Sequence, residues 1–480
     1  MLHSIMKFID RKDELARLMR ASGSEQGGLL VVYGRRRVGK TRLLVEWSRR
    51  VGGLYTVADQ SAPYVQRRYF AEAVATRFPG FADVEYRDWA GLLGRLAREA
   101  GASGWRGPVI LDELPYLVAT SSELPSVLQR WVDHETPEAG LLVAVAGSSQ
   151  GMMQGLVLSG DAPLYGRARE LLDLRPLDPS HLGEAFEGRG CRELVELYAA
   201  WGGIPRYWEL AREVSDDVVA QIDALVLDPL GPLHREPDRL LVEELPPAVE
   251  TRPILDAIGM GAHRVSEIGG RLGRPATSMS RPLNRLISMG LVRREVPFGE
   301  SEKASRRGLY RIDDPFFRMW FRVVAPNRAL LAAGSGASRQ RLLERQWSGL
   351  VGQAWEELCR HRLPKVSEST PLGGLGPWEP ASRWWHGAQP EWDVVSRSHD
   401  GARILAGEAK WSRQAFGAAD LDNAAAQLAA RPLPPPVEQA VRHGTELVRA
   451  LFVPACAPGA GARLRRHTGI MVVTADDLLA

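Results

Sequence analysis

Residues 28–50 read GLLVVYGRRRVGKTRLLVEWSRR and contain the pattern from which the fold of the first domain can be inferred. The run Leu29 to Tyr33 is apolar and β-favouring, as in a buried strand. Leu43 and Trp47 recur at helical spacing further along. Between the two, residues 34–41 fit G-x-x-x-x-G-K-[ST], so the stretch predicts strand, loop and helix in that order.

A loop of this composition is suited to a phosphate group. Glycines let backbone N–H groups wrap closely around an anion, and the start of the following helix adds partial positive charge. Lys40 is expected to pair with the β- and γ-phosphates of ATP, and the Thr41 hydroxyl to ligate Mg²⁺. The loop needs no particular side chain at Arg35–Arg37. Three alternatives stay open for these arginines: contact with phosphate, contact with a partner or DNA, and exposure to solvent. The residues predicted to line the nucleotide are Gly34, Arg35, Arg36, Arg37, Val38, Gly39, Lys40, Thr41 and Arg42.

Two further apolar strands end in polar residues that suit the same site. Residues 107–117, GPVILDELPYL, contain a strand that ends at Asp112 and Glu113. We expect Asp112 to hold the Mg²⁺ shell, and Glu113 to orient and deprotonate the attacking water. Residues 140–149, GLLVAVAGSS, contain a second such strand that ends in Ser148 and Ser149, whose hydroxyls either sense the γ-phosphate or water or cap the backbone.

The composition is that of a globular chain without a membrane or disulfide signal. The 480 residues are 45% hydrophobic and 25% charged, which is ordinary for soluble proteins, and the length suggests about three domains. The three cysteines form no CxxC pair, which argues against a zinc site and a disulfide framework. No apolar run approaches ~18 residues and the first residues lack a signal-peptide pattern, so we expect a cytoplasmic protein without membrane contact.

The middle of the chain alternates helical segments with glycine turns and ends in two short strands, the pattern of a winged helix-turn-helix. Residues 262–328 carry 13 arginines and one lysine against six acids, a net charge of +8, whereas the whole chain has +3. Such a concentration of charge is typical of nucleic-acid binding. Ser278, Arg281 and Arg285 are therefore predicted to contact double-stranded DNA, with a protein–protein module or plain solvation as alternatives. Pro282 would kink this helix unless it lies in the first turn.

The last part of the chain follows the order helix, strand, hairpin, strand, helix, strand. Asp393 lies on one strand, and Glu408 and Lys410, in GEAKW, lie on the next. Because residues i and i+2 share a strand face, these side chains converge at one edge, and Glu356 can join them. The arrangement resembles the PD-(D/E)xK nuclease-like core, which implies a metal at Asp393 and Glu408 and a lysine that polarises phosphate or activates water. Cleavage is left open, and a solvated Glu408–Lys410 pair is the alternative.

The stretches FIDRKDEL, YGRRRVGKTRLL, VILDELPYL, AGSS, LYGRARELLDLRPL and WGGIPRYW occur in this order. With them the chain resembles the archaeal and bacterial P-loop ATPases of the AAA+/STAND group that carry a C-terminal domain of unknown function. The resemblance implies that Phe8 to Leu15 lie near the adenine and that Arg167 is a γ-phosphate sensor or an arginine finger. A solvated helix arginine is the alternative for Arg167, and action in trans requires a homo-oligomer.

Together these features predict an α/β fold: a P-loop NTPase domain with a helical lid, a winged-helix domain and a C-terminal α/β nuclease-like domain. The function that follows is Mg²⁺-dependent ATP hydrolysis, with Lys40, Glu113 and Arg167 as catalytic residues, coupled to the other two domains. The alternative is an ATP-gated switch for DNA or protein contact, with little turnover and no nuclease activity. The predicted boundaries are 1–177 for the ATPase domain, 178–245 for the lid, 246–328 for the winged helix-turn-helix, 329–345 for a linker and 346–480 for the nuclease-like domain.

Overall fold

The computed structural model of the chain describes residues 7–244 and 251–479. The chain divides into two compact units. The first holds the residues up to Leu177 together with Ile204–Arg206 and Val242–Leu245, and the second holds the remaining segments. Within the described residues, no helix is long and apolar enough to cross a membrane.

The first unit alternates strands and helices, as the sequence predicts around the phosphate loop. Its strands are β1 (Gly28–Tyr33), β2 (Leu54–Val57), β3 (Val109–Asp112), β4 (Leu142–Gly147) and β5 (Ala168–Asp173). Its helices are α1 (Lys12–Ser22), α2 (Lys40–Val51), α3 (Pro63–Ala75), α4 (Trp89–Ser103), α5 (Leu114–Thr120), α6 (Leu124–Arg130), α7 (Thr136–Glu138) and α8 (Gln150–Met153). A 3₁₀ turn lies at Phe81–Asp83, and π-helical turns lie at Trp131–Glu135 and Gln154–Leu158.

These strands form one parallel sheet in the order β2-β3-β4-β1-β5. Parallel strands covered by helices on both faces read as continuous apolar runs, and β3 and β4 are buried along their whole length. Tyr33, the last residue of β1, is in register with Gly147 of β4 and Asp173 of β5. The carboxyl ends of the strands therefore meet at one edge, which is where open α/β sheets bind ligands.

The second unit is mainly helical, with one mixed sheet and one hairpin; α11 begins and α13 ends in segments of the first unit. Its helices are α9 (Leu182–Ala185), α10 (Cys191–Trp201), α11 (Pro205–Val214), α12 (Val218–Ile222), α13 (Glu236–Glu244), α14 (Arg252–Gly259), α15 (Val265–Arg271), α16 (Ser280–Ser288), α17 (Pro315–Met319), α18 (Arg328–Ala333), α19 (Gly336–Arg362), α20 (Ala418–Ala430), α21 (Pro435–Arg442), α22 (Ala460–Thr468) and α23 (Ala475–Leu479). Its strands are β6 (Val292–Glu295), β7 (Leu309–Ile312), β8 (Ser382–Trp384), β9 (Trp392–Arg397), β10 (Arg403–Ala409), β11 (Glu446–Phe452) and β12 (Met471–Val473). Short 3₁₀ or π-helical turns lie at Pro179–His181, Asp223–Leu227, Ala276–Met279, Trp320–Val324, Ala325–Asn327, Leu363–Lys365 and Gly373–Leu375.

The helices α14, α15 and α16 precede the antiparallel hairpin of β6 and β7, which is the element order of a winged helix-turn-helix. Leu283 and Leu286 of α16 are fully buried and fix the inner face of this helix. The helix begins at Ser280, so Pro282 lies in its first turn, where a missing N–H breaks no helical hydrogen bond. The helix therefore continues without interruption to Ser288.

The stretch 329–345, predicted as a linker, is mostly helical, and its role as a boundary stays a prediction. The helix α18 ends at Ala333, and α19 begins at Gly336 and runs for 27 residues. The Arg, Gln, Leu and Glu residues in this stretch have high helix propensity, and Leu343 is fully buried in the core. The glycines and serines near residue 335 mark a break between two helices.

The C-terminal sheet has the order β12-β11-β10-β9-β8. The strand β9 is antiparallel to both of its neighbours, β8 and β10. The strands β10, β11 and β12 run parallel. Leu421 and Ala425 of α20 pack with Ile404 and Leu451 in the core on one face of this sheet. The sequence missed β8, since three residues are too few to show an alternating pattern.

Candidate nucleotide-binding site

The phosphate loop has a backbone conformation that requires glycine. Gly34 has a φ of 143° and Gly39 a φ of 96°, values that side chains disfavour. A Cβ on Gly34 would lie 2.4 Å from the carbonyl oxygen of Leu174, so a larger residue would force the two segments apart. The loop runs directly into α2, whose first residue is Lys40. The loop and the amino-terminal turn of α2 are therefore held in a fixed arrangement.

Lys40 is buried inside the loop. Its ammonium group donates hydrogen bonds to the carbonyl oxygens of Gly34, at 2.8 Å, and Arg35, at 3.1 Å. Burial lowers the pKa of Lys40, and the charges of Glu113 and Asp112 oppose that shift. A buried ammonium that bonds only neutral carbonyl groups is a favourable partner for an anion, because the anion would offset its loss of hydration.

Asp112, at the end of β3, is completely buried and accepts three hydrogen bonds. Its donors are the hydroxyls of Thr41 and Tyr55, each at 2.8 Å, and the backbone N–H of Glu113 at 2.9 Å. Burial raises the pKa of Asp112, and the bonds from Thr41 and Tyr55 act in the opposite direction. Tyr55 is a residue that the sequence analysis missed, because a tyrosine within a strand carries no motif.

Glu113 follows directly, in a left-handed conformation with a φ of 55°. The hydroxyl of Ser148 lies 2.8 Å from both of its carboxylate oxygens, and the backbone N–H of Ser148 lies 3.3 Å from one of them. A strained backbone of this kind is common at functional sites. Ser148 thus binds the side chain of Glu113 and does not serve only as a cap after β4.

The segment Phe8 to Leu15 lies beside the loop. Ile9 is buried, and so is the side chain of Arg11. The Arg11 guanidinium donates to the carbonyl oxygens of Val38, at 2.9 Å, and Arg175, at 2.6 Å. The segment is therefore tied to the loop, and its proximity to adenine stays a prediction.

Arg36 is held by two polar partners within the first unit. Its guanidinium donates to the Tyr116 hydroxyl at 2.8 Å and forms an ion pair of 2.5 Å with Glu243. The acid comes from the end of α13, far along the chain, so sequence spacing could not reveal it. The roles of the other loop side chains stay predictions: Arg35 and Val38 are buried, and Arg37 and Arg42 are half-buried.

Arg167 lies away from this site within one chain. It directly precedes β5, whose first residue pairs with Leu29 at the amino-terminal edge of the sheet. Four strand residues, about 13 Å, separate that edge from the loop. Its guanidinium forms a two-pronged ion pair with Asp133, at 2.7 and 3.0 Å. Within one chain Arg167 is thus bound to Asp133, and its roles as a γ-phosphate sensor or as an arginine finger stay predictions.

The residues at the edge of the first sheet fit ATP with Mg²⁺. The loop supplies backbone N–H groups and the buried ammonium of Lys40 for phosphate oxygens. The hydroxyl of Thr41 and the carboxylate of Asp112 already lie in contact. Magnesium in proteins is commonly bound by one or two carboxylates together with substrate phosphates. The donor set therefore fits a magnesium ion that would be bound together with a nucleotide.

The predicted C-terminal site does bring its acids together. Asp393 accepts a hydrogen bond from the backbone N–H of Ala409 at 3.0 Å. Burial, together with the nearby charges of Glu356 and Glu408, raises the pKa of Asp393 to about 7. Burial also raises the pKa of Glu356. The three acids thus form one cluster, as the element order predicted.

The same cluster does not fit a metal ion. Glu408 bonds Lys410 at 2.7 Å through one carboxylate oxygen and Arg431 through the other. In residues 7–244 and 251–479, no group of three or more His, Cys, Asp or Glu side chains is arranged to hold a metal. The prediction of metal ligands at Asp393 and Glu408 is therefore not supported, because two side-chain cations already neutralise Glu408. Arg431 was missed, since nothing in its sequence context points to this edge.

The side chains predicted to contact DNA share an exposed surface of the winged helix. Ser278 lies in the 3₁₀ turn before α16, and Arg281 and Arg285 lie on α16 itself. All three are exposed, while the opposite side of the helix is buried. The winged helix therefore presents two arginines one helical turn apart to solvent.

Other arginines of this basic region are paired with acids and are buried or half-buried. Arg311 lies 3.1 Å from Glu295, and Arg318 lies 2.6 Å from Glu357. Arg293 bonds both of these acids. The net charge of +8 already includes Glu295 but not Glu357, so it overstates the charge available to a ligand.

Comparison with known proteins matches two regions of the chain. Residues 8–210 match a family described as an ATPase domain predominantly from Archaea. Residues 320–424 match archaeal and bacterial proteins of unknown function, which leaves the nuclease-like fold a prediction. A protein of Methanocaldococcus jannaschii is 29% identical over 412 residues, 84% of this chain and 87% of its own length. An ATP-binding protein of the same organism is 44% identical over 43 residues, 9% of this chain and 73% of its own.

Among solved structures, a Walker-type ATPase of Pyrococcus abyssi superposes with a TM-score of 0.51 at 20% sequence identity. The superposition covers 66% of this chain and 96% of that one. At this identity the likeness concerns the fold, and it agrees with the parallel sheet and the phosphate loop. The assignment to the AAA+/STAND group stays a prediction. Residues 8–210 thus resemble an ATPase domain of the archaeal type, and they contain the parallel sheet and the phosphate loop described above.

Proposed function

We propose that the chain binds ATP with Mg²⁺ and hydrolyses it at the loop of residues 34–41. The proposal is carried by the meeting of Lys40, Thr41 and Asp112 at the carboxyl edge of a parallel sheet. A buried ammonium and a hydroxyl–carboxylate pair are the groups that terminal phosphates and their metal need. The match of this region to an ATPase family supports the same activity.

In this proposal the loop N–H groups and Lys40 bind and orient the β- and γ-phosphates. Thr41 and Asp112 would hold Mg²⁺, which would supply positive charge beside the phosphates. Glu113 accepts a proton from the attacking water. The oxygen of this water then forms a bond to the γ-phosphorus while the bond between the γ-phosphorus and the β-phosphate oxygen breaks. The products are ADP and phosphate. Ser148 holds the Glu113 carboxylate in place. Each residue thus has one defined task.

The substitution Glu113→Gln tests this proposal. Glutamine keeps the size of the side chain and can still accept a bond from Ser148, but it cannot take up the proton. We expect steady-state ATP hydrolysis to fall by about 100-fold or more, while ATP affinity stays within a few-fold of the wild type. Glu123→Gln, at an exposed glutamate of the same unit, is the matched control and should hydrolyse normally. Wild-type turnover by Glu113→Gln would refute the assignment.

An ATP-gated switch with little turnover is the second candidate function. It is favoured by the hydroxyl of Ser148, which lies 2.8 Å from both carboxylate oxygens of Glu113 and so restrains the base. If the restraint limits hydrolysis, Ser148→Ala will raise turnover several-fold. If Ser148 positions the base for catalysis, the same substitution will lower it. ATP turnover measured with and without duplex DNA decides whether a ligand relieves the restraint of Glu113 by Ser148.

We also propose that the exposed surface of α16 contacts double-stranded DNA. Arg281 and Arg285 point to solvent one turn apart, and each phosphate contact adds about one to the salt dependence of binding. The double variant Arg281→Ala with Arg285→Ala should weaken binding of a labelled duplex and reduce the log–log salt slope by about two. Arg345→Ala, at an exposed arginine of α19, is the control. Equal binding by the double variant and this control would exclude the surface.

A homo-oligomer is the arrangement in which Arg167 can act as an arginine finger. The guanidinium would have to exchange Asp133 for the phosphates of a second copy. Mixing Arg167→Ala with Glu113→Gln tests this, because a mixed site can pair an intact base with an intact arginine. Activity recovered on mixing would support action in trans, and no recovery would argue against it.

A further inference from the structure

A cavity in the C-terminal part of the chain lies between α20, α22 and β11. Its volume is about 390 Å³, within the range of about 300–1,000 Å³ found for small-molecule sites. It lies wholly within the second unit and is separate from the residues proposed to bind ATP. Its apolar lining consists of Ala425, Ala426, Ala429, Leu447, Leu464 and Ile470.

Arg449 supplies the positive charge of this cavity. It lies on β11 in register with Ala406, on the same sheet face as Leu451, which belongs to the core beneath α20. Its Nε atom is buried and has no hydrogen-bond partner. Among the described residues that line the cavity, no other side chain is cationic. The cavity thus combines apolar walls and one guanidinium with Asp422, Thr468 and Gly469.

The neighbouring acids do not neutralise this guanidinium. Asp422 lines the cavity, but its carboxylate is bound by Arg463 from α22. Glu446, at the start of the same strand, pairs with Arg403 at 3.0 Å. Arg449 is half-buried, and the removal of its Nε from water without a partner carries a cost that a bound anion would offset. The side chains around the cavity therefore leave a place for a negative charge from outside the chain.

We propose that this cavity binds a small amphiphilic anion, with an acidic head group on Arg449 and an apolar body between α20 and α22. The ligand needs both its acidic head group and its apolar body. The guanidinium alone would hold a hydrated inorganic anion weakly, and the alanine and leucine side chains of the walls offer such an anion no hydrogen bonds. A carboxylate and a phosphate monoester present the same acidic oxygens to arginine. The shared chemistry is therefore an anionic head on a short apolar chain.

Isothermal titration calorimetry of the full-length chain tests the proposal with three probes. Octanoate and octyl phosphate carry the two head groups on one apolar chain, and 1-octanol carries that chain without charge. We expect at least one of the anions to bind with 1:1 stoichiometry and at least about tenfold more tightly than octanol, as a hydrogen bond to a charged group implies. Comparison of the two anions identifies the preferred head group.

Two variants locate the binding. Arg449→Met keeps the apolar stem and removes the charge, so affinity for the bound anion should fall at least about tenfold. Ala426→Phe places a ring in the mouth of the cavity from the exposed side of α20 and should abolish binding without disturbing the core. Arg466→Met, at an exposed arginine of α22 outside the cavity, should bind as the wild type does.

The outcomes that overturn the proposal are distinct. Failure of both anions to bind the wild-type chain would exclude the site. Equal affinity in the wild type and Arg449→Met would show that the guanidinium is not the anchor. Binding that survives Ala426→Phe would place the ligand elsewhere. Circular dichroism of each variant verifies that the chain is folded, so a lost signal can be assigned to the cavity.

Discussion

Two acid clusters of this chain, around Asp112 and around Glu408, contain similar residue types. They differ in the charge of the groups that donate hydrogen bonds to their carboxylates. The hydrogen bonds to Asp112 come from neutral groups, the hydroxyls of Thr41 and Tyr55 and a backbone N–H. Glu408 is instead bonded by the cations Lys410 and Arg431. The first cluster keeps its negative charge available for a metal, whereas the second is already neutralised.

This difference shows that a carboxylate at the end of a strand indicates a ligand site only when its hydrogen-bond partners are known. Both clusters lie at a strand edge, and both match a pattern of acids and a lysine. Lys40 bonds carbonyl oxygens of the loop and does not bond Asp112, so both charges can act on a ligand. Lys410 bonds Glu408 directly, and the two charges largely cancel. Four predictions test this contrast.

The largest effect is expected for Asp112→Asn. Asparagine keeps the shape of the side chain and can still accept bonds from the two hydroxyls, but it removes the negative charge that would attract the metal. We expect Mg²⁺-dependent ATP hydrolysis to fall by about 100-fold or more, as for loss of a positioned electrostatic group. Steady-state kinetics over a range of Mg²⁺ concentrations measures this. Unchanged turnover would show that Asp112 has only a structural role.

The next effect is on the stability of the C-terminal cluster. Arg431→Met removes one of the two cations that hold Glu408 and leaves a buried carboxylate less well compensated. Loss of such a charged hydrogen bond should lower the free energy of unfolding by about 2 kcal/mol. Denaturant titration measures the free energy of unfolding, with Arg442→Met as the control. Arg442 forms an exposed ion pair with Glu438, and the loss of this pair should change stability by less than about 1 kcal/mol. Equal stability of the two variants would contradict the neutralised cluster.

A smaller effect is expected for Tyr55→Phe in the first cluster. Phenylalanine fills the same volume and removes one hydrogen bond to Asp112, worth about 1 kcal/mol. The carboxylate would then be less firmly held, and the Mg²⁺ concentration for half-maximal hydrolysis should change by up to about fivefold, with little effect on maximal turnover. Tyr64→Phe, at an exposed tyrosine of α3, is the control. A Tyr55→Phe profile that overlays the control would refute a positioning role.

The last prediction concerns a gradual change, a dependence of stability on pH at Asp393 that is spread over several pH units. Burial and the charges of Glu356 and Glu408 raise its pKa from 3.8 to about 7. The folded chain therefore binds this proton more tightly than the unfolded chain, and the associated stability is lost as pH rises from about 4 through 7. Relative to Asp393→Asn, the wild type should become less stable between pH 5 and 8.

The control for this prediction is Asp400→Asn. Hydrogen bonds from Ser398 and the backbone lower the pKa of Asp400, so it does not titrate in the same window. Denaturant unfolding at several pH values compares the three proteins. A wild-type curve parallel to that of Asp393→Asn would show that Asp393 is ionised throughout.

The sequence predicted the elements that depend on local pattern. The loop of residues 34–41 was recognisable because glycine spacing, a preceding apolar strand and a following helix all agree. Glu113 and Ser148 were found because they follow buried runs whose carboxyl ends must meet in a parallel sheet. The α/β fold of the first domain is confirmed.

Features that depend on distant parts of the chain were not predictable. Tyr55, Glu243 and Arg431 reach their sites from elements that show no motif, and only the fold brings them there. The pairing of Arg167 with Asp133 was also not predictable, because a motif gives the order of residues along the chain but not the sheet edge on which they lie. Arg293 was counted as surface charge, since net charge cannot distinguish an exposed arginine from a paired one.

ATP binding by the wild type and by Lys40→Ala in magnesium buffer tests the central claim most directly. The account predicts that the wild type binds ATP with 1:1 stoichiometry and that Lys40→Ala, while still folded by circular dichroism, binds at least about tenfold more weakly because the buried ammonium is gone. A folded wild-type chain that binds no ATP, or a Lys40→Ala variant that binds it equally well, would contradict the account.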